Sequence, residues 1–200
     1  VTPAAPADLD ELSKLMAMAF QSDPPMQAAM GTTDPAVMVE RGPWLFRGLL
    51  NGGAIQAGTV DTIREGQQII GAAAWYAPGH HGPTIPGLVT HARDFHRALG
   101  TGGMVRALKI EAEMAKYRPT TPHWYLHAIG VHPDARGQGV GAVLLDHRLN
   151  QADRAGQPAY LESSTARSGN LYRRHGFQPM RRIQLNERAA PYSMWRPAAQ

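Results

Sequence analysis

The sequence predicts one α+β domain built on about six or seven strands with helices between them. Three observations carry this. Apolar residues alternate with period two in some segments and recur at helical spacing in others. Glycine and proline clusters fall at the boundaries between those segments. No internal repeat, low-complexity block or linker divides the 200 residues, which suffice for one sizeable core.

Val1-Thr2-Pro3-Ala4 reads as the stump of an edge strand. Asp8 and Glu11 form a capping-box pair, so the Asp8 side chain is expected to serve the first turn of a helix. Leu9, Leu12, Met16 and Phe20 follow as its buried stripe, and Ser22-Asp23-Pro24-Pro25 stops it. A second helix is predicted from about Ala36 to Leu50, interrupted near Gly42-Pro43 and ended by Asn51-Gly52-Gly53. Strands near Ala54–Val60 and Gln68–Trp75 make a hairpin through Arg64-Glu65-Gly66. Pro78 to Pro83 is a loop, and Pro86 to Tyr117 is mostly helical, split at Gly100-Thr101-Gly102-Gly103. His123–Val131 is the next strand, Pro133–Gly139 a turn, and Val140–Ala155 a helix with Ala142, Leu145, Leu149 and Ala152 on one face. Pro158–Ser163 is a strand, and Ser168–His175 a short helix stopped by Gly176. Phe177–Leu185 and Tyr192–Arg196 are the closing strands.

Composition narrows the chemistry. With no cysteine, disulfides, thiolate metal sites and a cysteine nucleophile are all excluded. No apolar run is long enough for a spanning helix, and the first thirty residues lack a secretory pattern, so no membrane partner is expected. The balance is basic, 20 Lys and Arg against 16 Asp and Glu. Arginine dominates the C-terminal third, including Arg136, Arg167, Arg173 and Arg174, which suits nucleic acid or a phosphate-rich cofactor. No recognised nucleic-acid motif accompanies the charge, so nucleic acid is not expected. His80, His81, His91 and His96 lack metal-ligand spacing, and no metal is expected.

The most informative segment is Arg136-Gly137-Gln138-Gly139-Val140-Gly141, between a strand and an amphipathic helix. A helix start offers unpaired N–H groups and partial positive charge, and glycines let a phosphate approach the backbone. Glycines also occur at ordinary strand-to-helix turns, so this alone does not identify a ligand. The P-loop is excluded because Gly141 is followed by Ala142-Val143 rather than Lys and Ser or Thr. A dinucleotide fingerprint needs its third glycine three residues after the second, and here it comes after two.

The run from Leu126 to Leu145, LHAIGVHPDARGQGVGAVLL, resembles the core motif of the GNAT (Gcn5-related) N-acetyltransferases. Tyr160-Leu161-Glu162-Ser163-Ser164 and Leu171-Tyr172-Arg173-Arg174-His175-Gly176-Phe177 resemble that family's second motif, in the right order and separation. Within the family, Tyr117-Arg118-Pro119, Pro122-His123-Trp124, Pro158 to Glu162, and Ala74-Trp75 with Pro78 look like the puromycin N-acetyltransferase type. That type is bacterial and cytoplasmic and acts on small amines. The likeness implies a mixed sheet splayed at the core strand to admit CoA. Residues 117–200 would be mainly the acetyl-CoA side and 1–116 mainly the acceptor side of a single domain. Acetyl-CoA would be the co-substrate and a small-molecule primary amine its acceptor, with direct transfer and no acyl-enzyme. A sensory acetyl-CoA-binding module, a peptide acetyltransferase and a homodimer remain open.

Residue by residue, the resemblance implies that Ile129, Gly130 and Val131 pair with the pantetheine arm. The turn Gly137, Gln138, Gly139, Val140, Gly141 and Ala142 would cap the pyrophosphate, with Arg136 steadying it. The Ile129 N–H would polarise the thioester carbonyl. Tyr172 matches the tyrosine that protonates the departing thiolate. The family's usual asparagine four residues earlier is Ser168 here, whose contact would be weaker or replaced by Asn170.

A base is also needed, because a protonated amine must lose its proton. His127 is the first candidate, since imidazole titrates in the useful range and shares a strand face with Tyr125. Arylalkylamine acetyltransferases carry a His-x-His pair at what look like these places, and here the first is Tyr125. Alternatively His127 is a buried histidine bonded to a carbonyl. Glu162 is the second candidate, or else a cap for the turn after it. Asp23 is the third, read chiefly as a helix-ending residue that would attract a cationic acceptor. Met26, Met30, Met38, Trp44 and Phe46 read as core, or as acceptor wall by family likeness.

Overall fold

The computed structural model describes residues 1–80, 82 and 85–199. Helices α1 (Leu9–Phe20), α2 (Pro24–Met30) and α3 (Pro35–Leu49) follow a short first strand, β1 (Thr2–Pro3). The hairpin β2 (Val60–Glu65) and β3 (Gln68–Tyr76) leads to α4 (Ile85–Thr90) and α5 (Ala92–Ala115). Strand β4 (Trp124–Val131), α6 (Val140–Arg154), β5 (Ala159–Ser163) and α7 (Ala166–Arg174) come next, before β6 (Gln178–Arg182) and β7 (Tyr192–Arg196).

All seven strands join one mixed sheet in the order β1-β2-β3-β4-β5-β7-β6, as the α+β expectation required. Only β4 and β5 run parallel, because α6 carries the chain back across the sheet between them. One face is covered by α1 and α3, with Leu12, Leu15, Met16, Phe46 and Tyr125 in a continuous apolar layer. The other is covered by α6, whose Leu144, Leu145 and Leu149 meet Trp75, Leu126 and Leu161. Each such fully buried side chain contributes roughly 1.5–3 kcal/mol of transfer free energy. A third cluster, Met30, Met38, Leu45, Phe95 and Leu99, ties α5 to α2 and α3.

The sheet forks in the middle. β4 pairs with β5 only from Trp124–Leu126 to Ala159–Leu161. Beyond that point β5 is held by β7, through Glu162↔Ser193 and Ser163↔Tyr192, and β4 only by β3. The β3 register steps from Ala74↔Ala128 to Trp75↔Leu126, so His127 is the extra residue of a β-bulge at the fork. On the α1 face, Gly130 permits close approach: a Cβ there would lie 2.7 Å from Met16 Sδ and 2.9 Å from Ala19 Cβ.

Several local expectations are corrected. Asp8 does not cap α1, because the Pro6–Asp8 turn already makes it helical. Its carboxylate accepts from Ala5 N–H and Arg64, while Glu11 accepts from the Ile69 N–H. Asp23 begins a helix rather than ending one: it caps α2, which the sequence did not reveal, with Pro24 in the first turn where its missing N–H is harmless. α3 runs unbroken through Gly42-Pro43, helped by contact with α1, where a Gly42 Cβ would lie 2.9 Å from Ala17 Cβ. The predicted strand near Ala54–Val60 is instead a wide helical turn at Leu50–Ala54 followed by tight turns, and β2 begins at Val60. The split at Gly100 is observed, with φ 62° and ψ 175°. His81 and Pro83 of the predicted loop lie outside the described residues.

The buried face of α6 also holds an arginine that periodicity did not flag. Arg148 donates to Asp61 of β2 through Nε at 3.0 Å and Nη2 at 2.7 Å, both side chains being almost wholly buried. Its guanidinium lies 4.9 Å from the Trp124 ring. Removing one partner leaves the other charged and unpaired, so Arg148→Ala and Asp61→Ala should each cost about 3–5 kcal/mol in urea unfolding. Asp61→Val with Arg148→Met should recover most of that loss.

Candidate active site

The fork opens into a cleft of about 600 Å3. One wall is β4 beyond the bulge. His132 N–H donates to Ile70 O at 2.8 Å, which sets the alternation along this strand. The backbone groups of Ala128 and Gly130 therefore turn to β3, and those of Ile129 and Val131 turn to the open side. Ile129, Gly130 and Val131 all line the cleft. Two residues' worth of strand edge facing a gap is a place for an extended, amide-bearing ligand.

At the far end stands the glycine turn. Gly137 and Gly139 have φ of 83° and 84°, and a Cβ built on either meets nothing within 4 Å, so open space lies over the backbone. The first helical bond of α6 is Val143 N–H to Gly139 O. The amides of Val140, Gly141 and Ala142 thus have no helical acceptor, and no acidic residue stands in the first turn. Arg136, which opens the turn, and Arg167 and Arg174 of α7 line the same cleft. Open glycine backbone, a helix start and three guanidiniums fit a diphosphate. Gln138 is turned away, its Nε2 donating to Asp134 O at 3.0 Å, and does not line the cleft.

α7 supplies Tyr172. Thr165 caps this helix by accepting from Ser168 N–H at 3.1 Å, and Ser168 Oγ accepts from Thr165 N–H at 3.3 Å. The Ser168 hydroxyl also lies 3.1 Å from Ser163 Oγ, so it lines the cleft as part of the cap. Asn170 is exposed and accepts from Arg173 at 3.0 Å; it does not line the cleft. Tyr172 is buried edge-on to Phe177, with ring centroids 6.1 Å apart. Burial pushes its phenol well above the ordinary value, helped by the nearby Asp23 carboxylate.

The three base candidates share the cleft with it. His127 stands edge-on to Tyr76 and Tyr125, at 5.4 and 5.7 Å between centroids, so the shared face with Tyr125 is observed. No protein group bonds its buried Nδ1, a carbonyl included. Burial pulls the imidazole down to about 4, leaving it neutral at neutral pH. Glu162 sits just past the last β4–β5 pair and caps no turn; Arg118 Nε donates to its Oε1 at 3.3 Å. Burial pushes this carboxyl up and the Arg118 charge pulls it down. Asp23 accepts from Met26 N–H at 3.0 Å, and its carboxyl is also raised by burial.

Ala19, Phe20, Ser22 and Ser164 also line the cleft without having been read as site residues, because helix and loop pattern do not say which gap they border. Met30, Met38 and Phe46 are core, and Trp44 is partly exposed beneath Arg97. Among the described residues no group of histidines and carboxylates could hold a metal ion, and no helix is long and apolar enough to cross a membrane.

A fork of this kind beside a glycine-started helix defines a class, and comparison places the chain in it. A family profile described as acetyltransferase (GNAT) domain matches residues 60–179. The chain belongs to the GNAT acetyltransferase family, which makes it an N-acetyltransferase by class. The solved structure of "histone acetyltransferase HPA2 and related acetyltransferase" from Corynebacterium glutamicum is 28% identical, with 99% of this chain and 95% of that chain covered and a TM-score of 0.71. The polyamine N-acetyltransferase of Drosophila melanogaster shares the fold at 17% identity, 97% and 96% coverage and TM-score 0.64. Arylalkylamine N-acetyltransferase 2 from Aedes aegypti does so at 14% identity, 98% and 97% coverage and TM-score 0.64.

Gly139→Asp and Gly139→Asn have the same shape and both tolerate the left-handed backbone, so their difference isolates charge. By calorimetry Gly139→Asp should bind CoA at least about tenfold more weakly than Gly139→Asn. Equal affinities would remove the turn as the anion site.

Proposed function

We propose that this chain transfers acetyl from acetyl-CoA directly to the primary amine of a small molecule. The observation that carries the reading is the fork: one cleft holds an unpaired strand edge, an anion site, Tyr172 and two buried carboxylates. Ile129 and Val131 would hold the pantetheine arm through their backbone, and Arg136, the α6 amides, Arg167 and Arg174 the phosphates. Bound there, acetyl-CoA supplies an activated acyl thioester.

The chain's own groups then divide the proton work. Tyr172 keeps its proton through neutral pH and can give it to a departing thiolate. The Ile129 N–H faces the cleft, where it can polarise a carbonyl. Glu162 is the better base, because burial leaves His127 only weakly basic. This reverses the order expected from sequence. Asp23 and Glu162 give the acceptor end negative character suited to a cationic amine. We take the acceptor to be a small amine of the kind handled by the puromycin type, on the residues Tyr117-Arg118-Pro119 and Pro158 to Glu162.

A thiol-release screen with acetyl-CoA against aminoacyl nucleosides, agmatine, arylalkylamines, aminoglycosides and peptides tests this. Turnover of a small amine is expected; turnover of peptides alone, or of none, overturns it. Tyr172→Phe should lower kcat about a hundredfold while acetyl-CoA affinity stays within about twofold. Glu162 acts as carboxylate, so activity should rise with pH through a limb above the ordinary carboxylate range. Glu162→Gln should abolish that limb and His127→Ala should leave it in place, as kcat/KM profiles would show.

A further inference from the structure

One cation holds the fork from behind. Arg118 lies just after α5, and only 8% of its side chain is exposed. Its Nε donates to Glu162 Oε1 at 3.3 Å, and Nη1 and Nη2 donate to Glu111 Oε1 and Oε2 at 2.6 and 3.2 Å. Nη2 also donates to Tyr125 Oη at 3.1 Å, and the guanidinium carbon lies 4.6 Å from the Tyr125 ring centroid. One planar group thus joins α5 to β4 and β5 on either side of the parting. Glu111 alone would satisfy a structural ion pair, since it is bidentate and half exposed. The Nε contact is additional: it reaches a carboxylate that is only 5% exposed and lines the cleft.

We propose that Arg118 is a positioning residue for acetyl transfer, fixing the Glu162 carboxylate at the fork and coupling it to α5 through Glu111. The proposal rests on Glu162 as proton acceptor. The titratable groups acting on Glu162 are Arg118, Glu111, Tyr125 on β4 and Tyr160 on its own strand. β7 places uncharged Ser193 beside it, and Asp23 and His127 line the same cleft. Arg118 and the Tyr125 and Tyr160 hydroxyls favour the ionised carboxyl, and Glu111 opposes it. Removing Arg118 and removing Glu111 should therefore move the carboxyl in opposite directions.

The test follows the glutamate carboxyl 13C resonances of the full chain across pH, with Glu162 assigned by its loss in E162Q. R118M should raise the Glu162 midpoint by about one pH unit or more, R118K by less, and E111Q should lower it. The acidic limb of kcat/KM, measured with the fastest amine of the screen, should move with each midpoint while acetyl-CoA affinity holds. Unmoved midpoints overturn the clamp and leave the acetyltransferase reading intact. Midpoints that move without the limb overturn Glu162 as the base, and the role of Arg118 in transfer with it. Should R118M fail to fold, the half-exposed E111Q decides alone: no downward shift overturns the proposal.

Discussion

Everything at the site depends on two parallel strands that pair for three residues and then part. Parallel pairing normally propagates along a sheet, because each unpaired N–H and C=O would otherwise lose its partner. Here neither strand finds a replacement: beyond the fork β5 keeps β7 and β4 keeps β3, each on its far side. The open edge of β4 is left at Ile129 and Val131, with the glycine turn directly downstream. A bulge at His127 and a buried carboxylate at Glu162 mark the two prongs where they separate.

The surrounding packing keeps this arrangement rigid. α1 seats against β4 because Gly130 has no side chain to hold it off. α6, whose first turn has the unpaired amides proposed to hold the phosphates, is pinned to β2 by the Asp61–Arg148 pair. α7 is capped by Thr165 and Ser168, so the tyrosine it carries is set by a local hydrogen-bond network. The cleft is lined by charges of both signs, Arg136, Arg167 and Arg174 with Asp23 and Glu162. Both suit a ligand with anionic phosphates and a cationic acceptor.

Local signals were legible where a residue's role is local. The β4 strand, the glycine turn, α6 and the Gly176 stop follow from alternation, glycine conformation and helical spacing. Asp8 and Glu11 misled because their carboxylates serve Ala5, Arg64 and Ile69 instead of their own helix. α2 was hidden because Asp23-Pro24 reads equally as the end of one helix and the start of another. Ala54–Val60 is apolar enough for a strand, yet Gly58, with φ 64°, lets the chain turn first. Arg148 lies on the buried stripe of α6 at helical spacing, but a charged residue is discounted there unless its partner is known.

By itself, the sequence determined the α+β class, the order of most elements, the glycine turn before α6 and the position of Tyr172. These rest on spacing along a few consecutive residues, which the backbone translates directly into geometry. Only the tertiary structure decided that His127 is buried and neutral, which arginines border the cleft, and that Glu162 is gripped by Arg118 rather than capping a turn. Ionisation in a protein is set by burial and by charges distant in sequence. His127 and Glu162 could therefore not be ranked before the fold brought Glu111, Arg118 and Tyr125 around them.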